Sequence, residues 1–374
     1  CAVWAACVGC AACVGWAGLV GGDFLPDVTA RARRCAMPDN VSVRQALNDA
    51  AFVLSEAGIG PARHEARLLL EHALGRPFGS AERLTGPEWN RFFSLIGQRA
   101  TREPLQHVMG VMFFRYLTLR CRPGVFVVRP ETEWVAEAGI AAARDWVNRG
   151  VAPRVLDLGS GSGALGLALA SEVPQVRLTS VDVSSAAVVL TRENAALVEV
   201  SATVLQADAT DVPALRLALE EAGLADASPV KASTTGASEV AETGAVPVLQ
   251  DSEFSPSFEV VVANPPYVID PVTQLEAQRD PELALYGGGP DGLDLPRKFL
   301  DTAATLLVPG GTLVMEHGET QGEALVAAAL AAGFRTATTG RDLAGRPRYL
   351  HAVRSGLNPA LAPGGSDTSK SVPN

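Results

Sequence analysis

Positive charge is in short supply in this chain, and so are aromatic side chains. Its 31 Lys and Arg residues are outnumbered by 41 Asp and Glu, for a formal net charge of −10, and Phe, Trp and Tyr supply 6% of the residues. A broad basic face interleaved with aromatics, the usual means of gripping naked DNA or RNA, is therefore argued against. A protein partner stays open. Histidine is also scarce: His317, following Glu316 at the end of a strand-like run, reads as structural, and no His-centred general base stands out. Of 6 cysteines, Cys1, Cys7, Cys10 and Cys13 crowd one end, while Cys35 and Cys121 are scattered. The Cys7-x-x-Cys10-x-x-Cys13 spacing is part of an iron–sulfur or zinc ligand set, but no fourth cysteine or nearby histidine completes it. No metal and no disulfide framework are expected.

Charge is absent altogether from residues 1–22, a stretch long enough to cross a bilayer. It lacks the basic lead of a secretory signal, is followed by Arg31, Arg33 and Arg34, and begins at Cys, not Met. The reading is an apolar, Cys-rich extension over 1–38 that is not part of the fold, with Met37 as the true start. The remaining body reads as cytoplasmic, with no membrane contact.

What is present is ample apolar material: 47% of 374 residues, enough for one large domain and a smaller one. Residues 39–110 read as a small helical domain. Val43, Leu47, Ala50, Ala51 and Leu54 keep helical spacing until Gly58-Ile59-Gly60-Pro61; Ala66, Leu69, Leu70, Ala73 and Leu74 repeat it up to Gly75; Trp89, Phe92, Phe93 and Ile96 form a third stripe. Residues 111–129 read as a hairpin linker, with Val111–Phe114 and Val125–Val128 as strands around Arg122-Pro123-Gly124. Pro130 then opens a helix whose first turn holds Glu131 and Glu133.

Over 130–355 strands and helices alternate, the pattern of an α/β, doubly wound, Rossmann-like domain with a parallel sheet. Strands are expected at Val155–Leu158, Val176–Val183, Ala202–Ala207, Phe258–Ala263 and Thr312–Glu316, and helices at about 164–172, 186–197, 295–307 and 320–332. A Ser/Thr/Ala/Gly/Pro-rich tract at 225–257 reads as a mobile insertion, and 356–374 as a disordered tail.

Three features carry chemistry. Asp157-Leu158-Gly159-Ser160-Gly161-Ser162-Gly163 follows a strand and opens a helix, so its glycines allow a sharp turn and its helix start offers amide donors. It is not a phosphate loop of the Gly-Lys-Ser/Thr kind. Asp182 ends the next strand, where an acid can accept hydrogen bonds from ribose hydroxyls or merely cap the following helix. Asp208 ends the third strand, placed to meet an adenine amino group through itself or Ala209. Loop and acids fit a dinucleotide or S-adenosylmethionine equally. Asn264-Pro265-Pro266-Tyr267, directly after the apolar run Val260–Ala263, discriminates between them. Prolines leave carbonyls without local donors, so the Asn264 side-chain oxygen and the Pro265 carbonyl can both accept from one substrate NH2, with Tyr267 offering a face to a planar group. An amide or aniline-like nitrogen is a poor nucleophile, and such a grip orients it toward a sulfonium methyl by positioning alone.

Taken with Pro104–Gly110, Arg129-Pro130-Glu131-Thr132-Glu133, Gly288-Gly289-Pro290-Asp291-Gly292-Leu293, Glu316-His317-Gly318 and Asp342-Leu343-Ala344-Gly345-Arg346, the sequence resembles the PrmC/HemK family of peptide chain release factor glutamine methyltransferases over roughly residues 40–355. The resemblance implies a class I methyltransferase domain, S-adenosylmethionine as methyl donor, and a class 1 release factor as protein substrate, methylated on the glutamine of its Gly-Gly-Gln motif. It implies that Asp157, Gly159, Ser160, Gly161, Ser162, Gly163, Asp182, Asp208, Ala209 and Asn264 hold the cofactor. It assigns the substrate glutamine to Asn264, Pro265, Pro266 and Tyr267, with Asn264, Pro265 and Tyr267 as the catalytic group, and docking of the release factor to the helical domain. The family often has an aromatic after the third-strand acid, where this chain has Ala209. Alternatives are an amino-methyltransferase acting on adenine or guanine in nucleic acid, a non-catalytic cofactor-binding scaffold, and a nicotinamide dehydrogenase, which would leave the Asn264 quartet without a purpose.

Overall fold

Two compact units make up the described part of the chain, residues 40–224 and 258–356 of a computed structural model. The expectations for the extension 1–38, the insertion 225–257 and all but Gly356 of the tail lie outside the described residues.

The first unit comprises residues up to Gly110 together with Thr273–Arg279. Helix α1 (Val43–Glu56) starts where the Ser42 hydroxyl accepts the Gln45 amide, and buries the stripe Val43, Ala46, Ala50 and Leu54. Helix α2 (Ala62–Leu74) stops at Gly75 in the left-handed conformation. Helix α3 (Gly86–Ala100) begins with the Glu88 carboxylate taking both the amide and the hydroxyl of Thr85. A short α4 (Leu105–Met109) follows, and β1 (Val41–Ser42) pairs antiparallel with β2 (Arg83–Leu84). Leu54, Leu69, Leu70, Leu84, Phe92 and Ile96 form the core. Beside it the Arg99 guanidinium spans both Glu65 carboxylate oxygens at 2.6 and 3.3 Å and reaches Glu276 at 3.0 Å.

The second unit opens with a hairpin of β3 (Val111–Phe114) and β4 (Leu117–Arg120). This differs from the expected strand pair 111–114 and 125–128. The reversal falls at Arg115-Tyr116, because Arg115 accepts a left-handed φ of +52° while its amide bonds Glu133 and its side chain pairs with Glu172 and Glu137. Val125–Val128 makes no ladder; the Val127 amide donates to the Asp280 carboxylate at 3.0 Å instead. Helix α5 spans Thr132–Asn148, so Pro130 lies in the turn ahead of it and not in its first turn.

A seven-stranded sheet follows. Its strands are β5 (Arg154–Leu158), β6 (Arg177–Asp182), β7 (Ala202–Gln206), β8 (Phe258–Ala263), β9 (Leu307–Glu316), β10 (Phe334–Arg341) and β11 (Pro347–Arg354), in spatial order β10-β11-β9-β8-β5-β6-β7. The five from β9 to β7 are parallel; β11 runs antiparallel to β9 and to β10, so the sheet is mixed. The antiparallel pair was not expected, because β10 reads FRTATTGR and buries only Phe334, without the apolar run of a central strand. Helices α6 (Ala164–Glu172), α7 (Ser185–Leu197), α8 (Val212–Glu221), α9 (Asp294–Leu306) and α10 (Gly322–Ala331) complete the unit. Helices α5, α6 and the hairpin pack on the sheet face carrying Val155, Val260 and Val262. Helices α8, α9 and α10 cover the face carrying Leu156, Val261 and Ala263. Strand β8, apolar on both faces save for Glu259, which pairs with Arg154, is thus wholly buried.

Register then sets the site. Leu158, Val181 and Ala263 occupy one row across β5, β6 and β8, and Ala263 pairs with Met315 of β9. The residues next in sequence, Gly159, Asp182, Asn264 and Glu316, therefore emerge side by side at the carboxyl edge, where the chain order reverses about β5.

Candidate active site

A single cleft at that edge is lined by Asp157, Gly159, Ser160, Gly161, Ser162, Asp182, Asp208, Ala209, Asn264 and Pro266, all expected from sequence. Gly163, Pro265 and Tyr267, also expected, do not line it. A Cβ on Gly163, at φ +82°, would come within 2.9 Å of Leu167 and Thr191, so this glycine serves close packing of loop on helix. Gly161, at φ +57° with open space beside it, is the glycine that leaves the cleft wall free.

The loop is held from behind. Its Gly159 and Ser160 amides donate to the Val181 carbonyl, and the Thr191 hydroxyl donates to the Gly161 carbonyl at 3.0 Å. The fully buried Asn194 side chain bonds Arg120 in both directions and donates to the Ser162 carbonyl, joining hairpin, α7 and loop. Asp182 accepts the Gly161 amide through one oxygen and the Ser184 amide through the other, each at 2.8 Å. It thereby fixes both the loop and the start of α7, and each oxygen keeps a second lone pair for a ligand. Asp208 closes a turn on Thr210 through one oxygen, and the Ala209 carbonyl takes the Thr302 hydroxyl at 2.7 Å.

Asp157 is 1% exposed yet edges the cleft, with its carboxylate taking the Gly166 amide at 3.0 Å. Burial, with the Asp182 charge adding, pushes its pKa up to about 7. Burial raises that of Asp182 as well, against the pull of its two amide bonds. The three aspartates are the only charged residues among those lining the cleft, which includes no Lys, Arg or His. Its other walls are apolar: Val125, Phe126, Val128, Val183, Leu283, Leu295 and Phe299.

At the Asn264 end, the side-chain amide nitrogen donates to the Thr132 hydroxyl at 3.4 Å. Tyr267 points its hydroxyl at Glu316 Oε1, 2.9 Å away, and does not present it to the cleft. Glu316 is 1% exposed, and burial pushes its pKa up to about 7. The Tyr267 amide donates to the Leu285 carbonyl, while its own carbonyl takes the Gln321 side-chain nitrogen at 2.9 Å. That nitrogen also reaches the Asp291 carbonyl at 2.9 Å. His317 is buried and bonded to the Gly318 carbonyl, away from the cleft. Among the described residues no group of three or more His, Cys, Asp and Glu is arranged to hold a metal, and no helix is long and apolar enough to cross a membrane.

Two family models match the chain: PrmC N-terminal domain over residues 45–110 and Methyltransferase small domain over residues 144–216. The release factor glutamine methyltransferase of Bifidobacterium longum is 38% identical over 322 residues, covering 82% of this chain and 98% of that protein. The chain belongs to the release factor glutamine methyltransferase family. The Mycolicibacterium smegmatis protein of the same description is 36% identical over 323 residues, covering 83% of this chain and 98% of its own. A Streptomyces pristinaespiralis relative, 4-amino-L-phenylalanine/4-methylamino-L-phenylalanine methyltransferase, is 34% identical over 287 residues, covering 75% of this chain and 84% of its own. The mixed sheet with helices on both faces is this family's class I methyltransferase domain, preceded by its small helical domain.

Within the family frame, sequence reasoning missed Thr132, Phe126, Phe299 and Gln321. Thr132 and Phe126 stand in quoted segments, but only the tertiary fold brings them to the cleft. Phe299 carries ordinary helical-core spacing, and Gln321 is one polar residue ahead of a helix. Neither has a local signal. Phe299 lies against Gly159, where a Cβ would meet its ring at 3.3 Å, and so puts an aromatic in the wall that the Ala209 position does not supply.

Proposed function

We propose that the protein transfers a methyl group from S-adenosylmethionine to the side-chain amide nitrogen of the glutamine in the Gly-Gly-Gln motif of class 1 peptide chain release factors, in the cytoplasm, in support of translation termination. The observation that carries the reading is Asn264. It shares one cleft with the acidic, glycine-looped nucleoside site, and its amide nitrogen is occupied by Thr132, which leaves Oδ1 as an acceptor.

The cleft suits the donor by charge. S-adenosylmethionine carries a sulfonium and an ammonium against one carboxylate, whereas a dinucleotide brings a pyrophosphate. A lining of three aspartates without a base favours the cation and opposes the polyanion. Asp182 and Asp208 would take ribose and adenine donors, Asp157 would face the positive end, and Phe299, Leu295 and Val183 would flank the base. When bound, S-adenosylmethionine supplies a methyl on cationic sulfur, released as the neutral thioether when the carbon–nitrogen bond forms.

The chain's own part is positional. Asn264 Oδ1 and the Pro265 carbonyl would accept the two hydrogens of the substrate amide and aim its nitrogen. Their pull grows as positive charge develops on nitrogen, which is where transition-state stabilisation arises. The extra proton then passes from nitrogen to solvent. The helical unit, matched by the PrmC N-terminal model, is assigned the docking of the release factor.

The test is label transfer from S-adenosylmethionine to a class 1 release factor, to its Gly-Gly-Gln glutamine→Ala form, to nucleic acid and to free 4-amino-L-phenylalanine. Transfer to the intact factor alone is expected. Equal labelling of the glutamine→Ala factor, or labelling of only nucleic acid or the amino acid, overturns the assignment. Asn264→Ala should abolish transfer while cofactor affinity holds; full turnover in that variant would remove the amide grip.

A further inference from the structure

Residues 280–287, where the second unit resumes, contain only one turn of 3-10 helix (Glu282–Ala284) and an isolated bridge from Tyr286 to Val268. Three of these residues, Pro281, Leu283 and Ala284, nevertheless line the cleft. A wall with so little secondary structure keeps its place only if both ends are pinned to the rest of the unit. Both are.

The first pin is Asp280. Its side chain is fully buried; Oδ1 takes the Val127 amide at 3.0 Å and Oδ2 takes the Arg129 guanidinium. The same guanidinium lies over the Phe126 ring, 5.0 Å from its centre. One carboxylate thus ties the Pro281–Ala284 wall to the wall made by Val125, Phe126 and Val128. The second pin is at the other end. The Leu285 carbonyl receives the Tyr267 and Val268 amides at 3.1 and 2.8 Å, and the Gly287 amide donates to the Val268 carbonyl at 3.1 Å. A Cβ on Gly287 would stand 1.9 Å from the Gly292 carbonyl oxygen and 2.9 Å from the Tyr267 Cα, so only glycine admits this approach. Both pins flank Asn264: Tyr267 and Val268 follow it in sequence, and the Val127–Arg129 stretch leads into Thr132, to which its side chain donates. The glycine loop, Asp182 and Asp208 hang instead on β5, β6 and β7.

Leu283, in the middle of this segment, is 62% exposed while lining the cleft. Because its backbone is fixed on both sides, little further ordering is needed when a ligand covers it. We propose that residues 280–287 form a strap framing the methyl-acceptor end of the cleft, with Leu283 as the contact for the polypeptide that brings in the glutamine and Asp280 as the positioning residue that holds Leu283 and Phe126 in place. The proposal rests on the release-factor reading of the preceding section. The two glycines ahead of the target glutamine leave that polypeptide without side chains there, so its backbone can lie against an apolar wall. The strap takes no share in proton transfer.

Leu283→Ala tests the contact. The side chain is largely exposed, so the melting temperature should hold. KM for the release factor should rise about fivefold, with kcat and S-adenosylmethionine affinity within about twofold of wild type. Leu283→Met, similar in volume, should keep most of the wild-type KM. Asp280→Asn tests the pin. Its oxygen can still take the Val127 amide, but its nitrogen meets the Arg129 guanidinium donor against donor. KM should again rise about fivefold or more, with cofactor affinity held. The double variant Asp280→Asn/Arg129→Met should be no worse than the poorer single, because both break one pin. An unchanged KM in Leu283→Ala, or additive losses in the double, overturns the proposal. So does a loss of cofactor affinity with KM intact, which would place the strap on the methyl donor. The wild type separates the two readings. If it labels the release factor while Leu283→Ala keeps the wild-type KM, only the strap fails. If it labels nucleic acid or 4-amino-L-phenylalanine instead, the release-factor reading fails and takes the polypeptide contact with it. A readout without substrate completes the test: the Val127 amide should exchange slowly in wild type and fast in Asp280→Ala. Unchanged protection in that variant also overturns the proposal.

Discussion

Asp157 shows how one residue can serve packing and, in the proposed reading, a ligand at once. A Cβ on Gly166 would stand 2.7 Å from its Oδ2, so only glycine lets α6 approach closely enough for the Gly166 amide to bond that carboxylate. The same closeness strips water from the acid and pushes its pKa up to about 7. A bound cation reverses that balance. S-adenosylmethionine affinity should therefore rise as pH increases through about 7, with proton release on binding, and level off above it. Calorimetry in buffers of different ionisation enthalpy checks this; Asp157→Asn should bind more weakly and without the pH slope. Stability without ligand runs the other way. Asp157 and Glu316 both have raised pKa values, so their stabilising contribution is complete below the ordinary carboxylate range and is lost as pH rises through about 7. Glu316→Gln should thus raise the melting temperature near pH 8 and leave it unchanged near pH 4.

At the scale of elements, the Gly288–Leu293 segment acts as a brace. A Cβ on Gly292, at φ +68°, would meet the Tyr267 carbonyl at 2.6 Å and the Gln321 nitrogen at 2.9 Å. Gln321, 3% exposed, then ties the Tyr267 and Asp291 carbonyls with one nitrogen while its oxygen takes the Gly318 amide. Gln321→Glu replaces that donor by an acceptor and leaves two carbonyls unpaired, each at about 1–3 kcal/mol. Its melting temperature and its transfer rate should both drop, and a variant with normal turnover would show that the brace is dispensable. The segment was visible in the sequence as a string of residues, but its purpose was not. Its partner Gln321 lies nearly thirty residues on, and nothing about an isolated glutamine announces it. The hairpin was misread for a related reason. Val125–Val128 has strand-like composition, yet Asp280, distant in sequence, claims the Val127 amide. The Arg115 turn depends on carboxylates at Glu133, Glu137 and Glu172. By contrast, β5 to β8 were legible because each is a short apolar run closed by a polar residue at its carboxyl end, a pattern that is local.

For the whole molecule, the parallel half of the sheet followed from alternation, whereas the β10–β11 pair, poor in apolar runs, came only with the coordinates. The division into two units has a functional consequence. Every residue lining the cleft belongs to the second unit, and the Arg99 cluster belongs wholly to the first. Arg99 and Glu65 are 4% and 8% exposed, and the guanidinium bonds both carboxylate oxygens. Such a pair adds little over an apolar replacement of both members, but removing one member leaves a buried charge uncompensated, on the order of 3 kcal/mol. Glu276, at 3.0 Å and partly exposed, offsets part of that loss. Glu65→Ala should therefore loosen α2 and α3, seen as faster amide exchange over residues 62–100. If the helical unit docks the release factor, KM for that substrate rises severalfold while S-adenosylmethionine affinity is unchanged. A parallel loss of cofactor binding would mean that the two tasks are not divided between the units, and an unchanged KM with a loosened helical unit would place release-factor docking elsewhere on the chain.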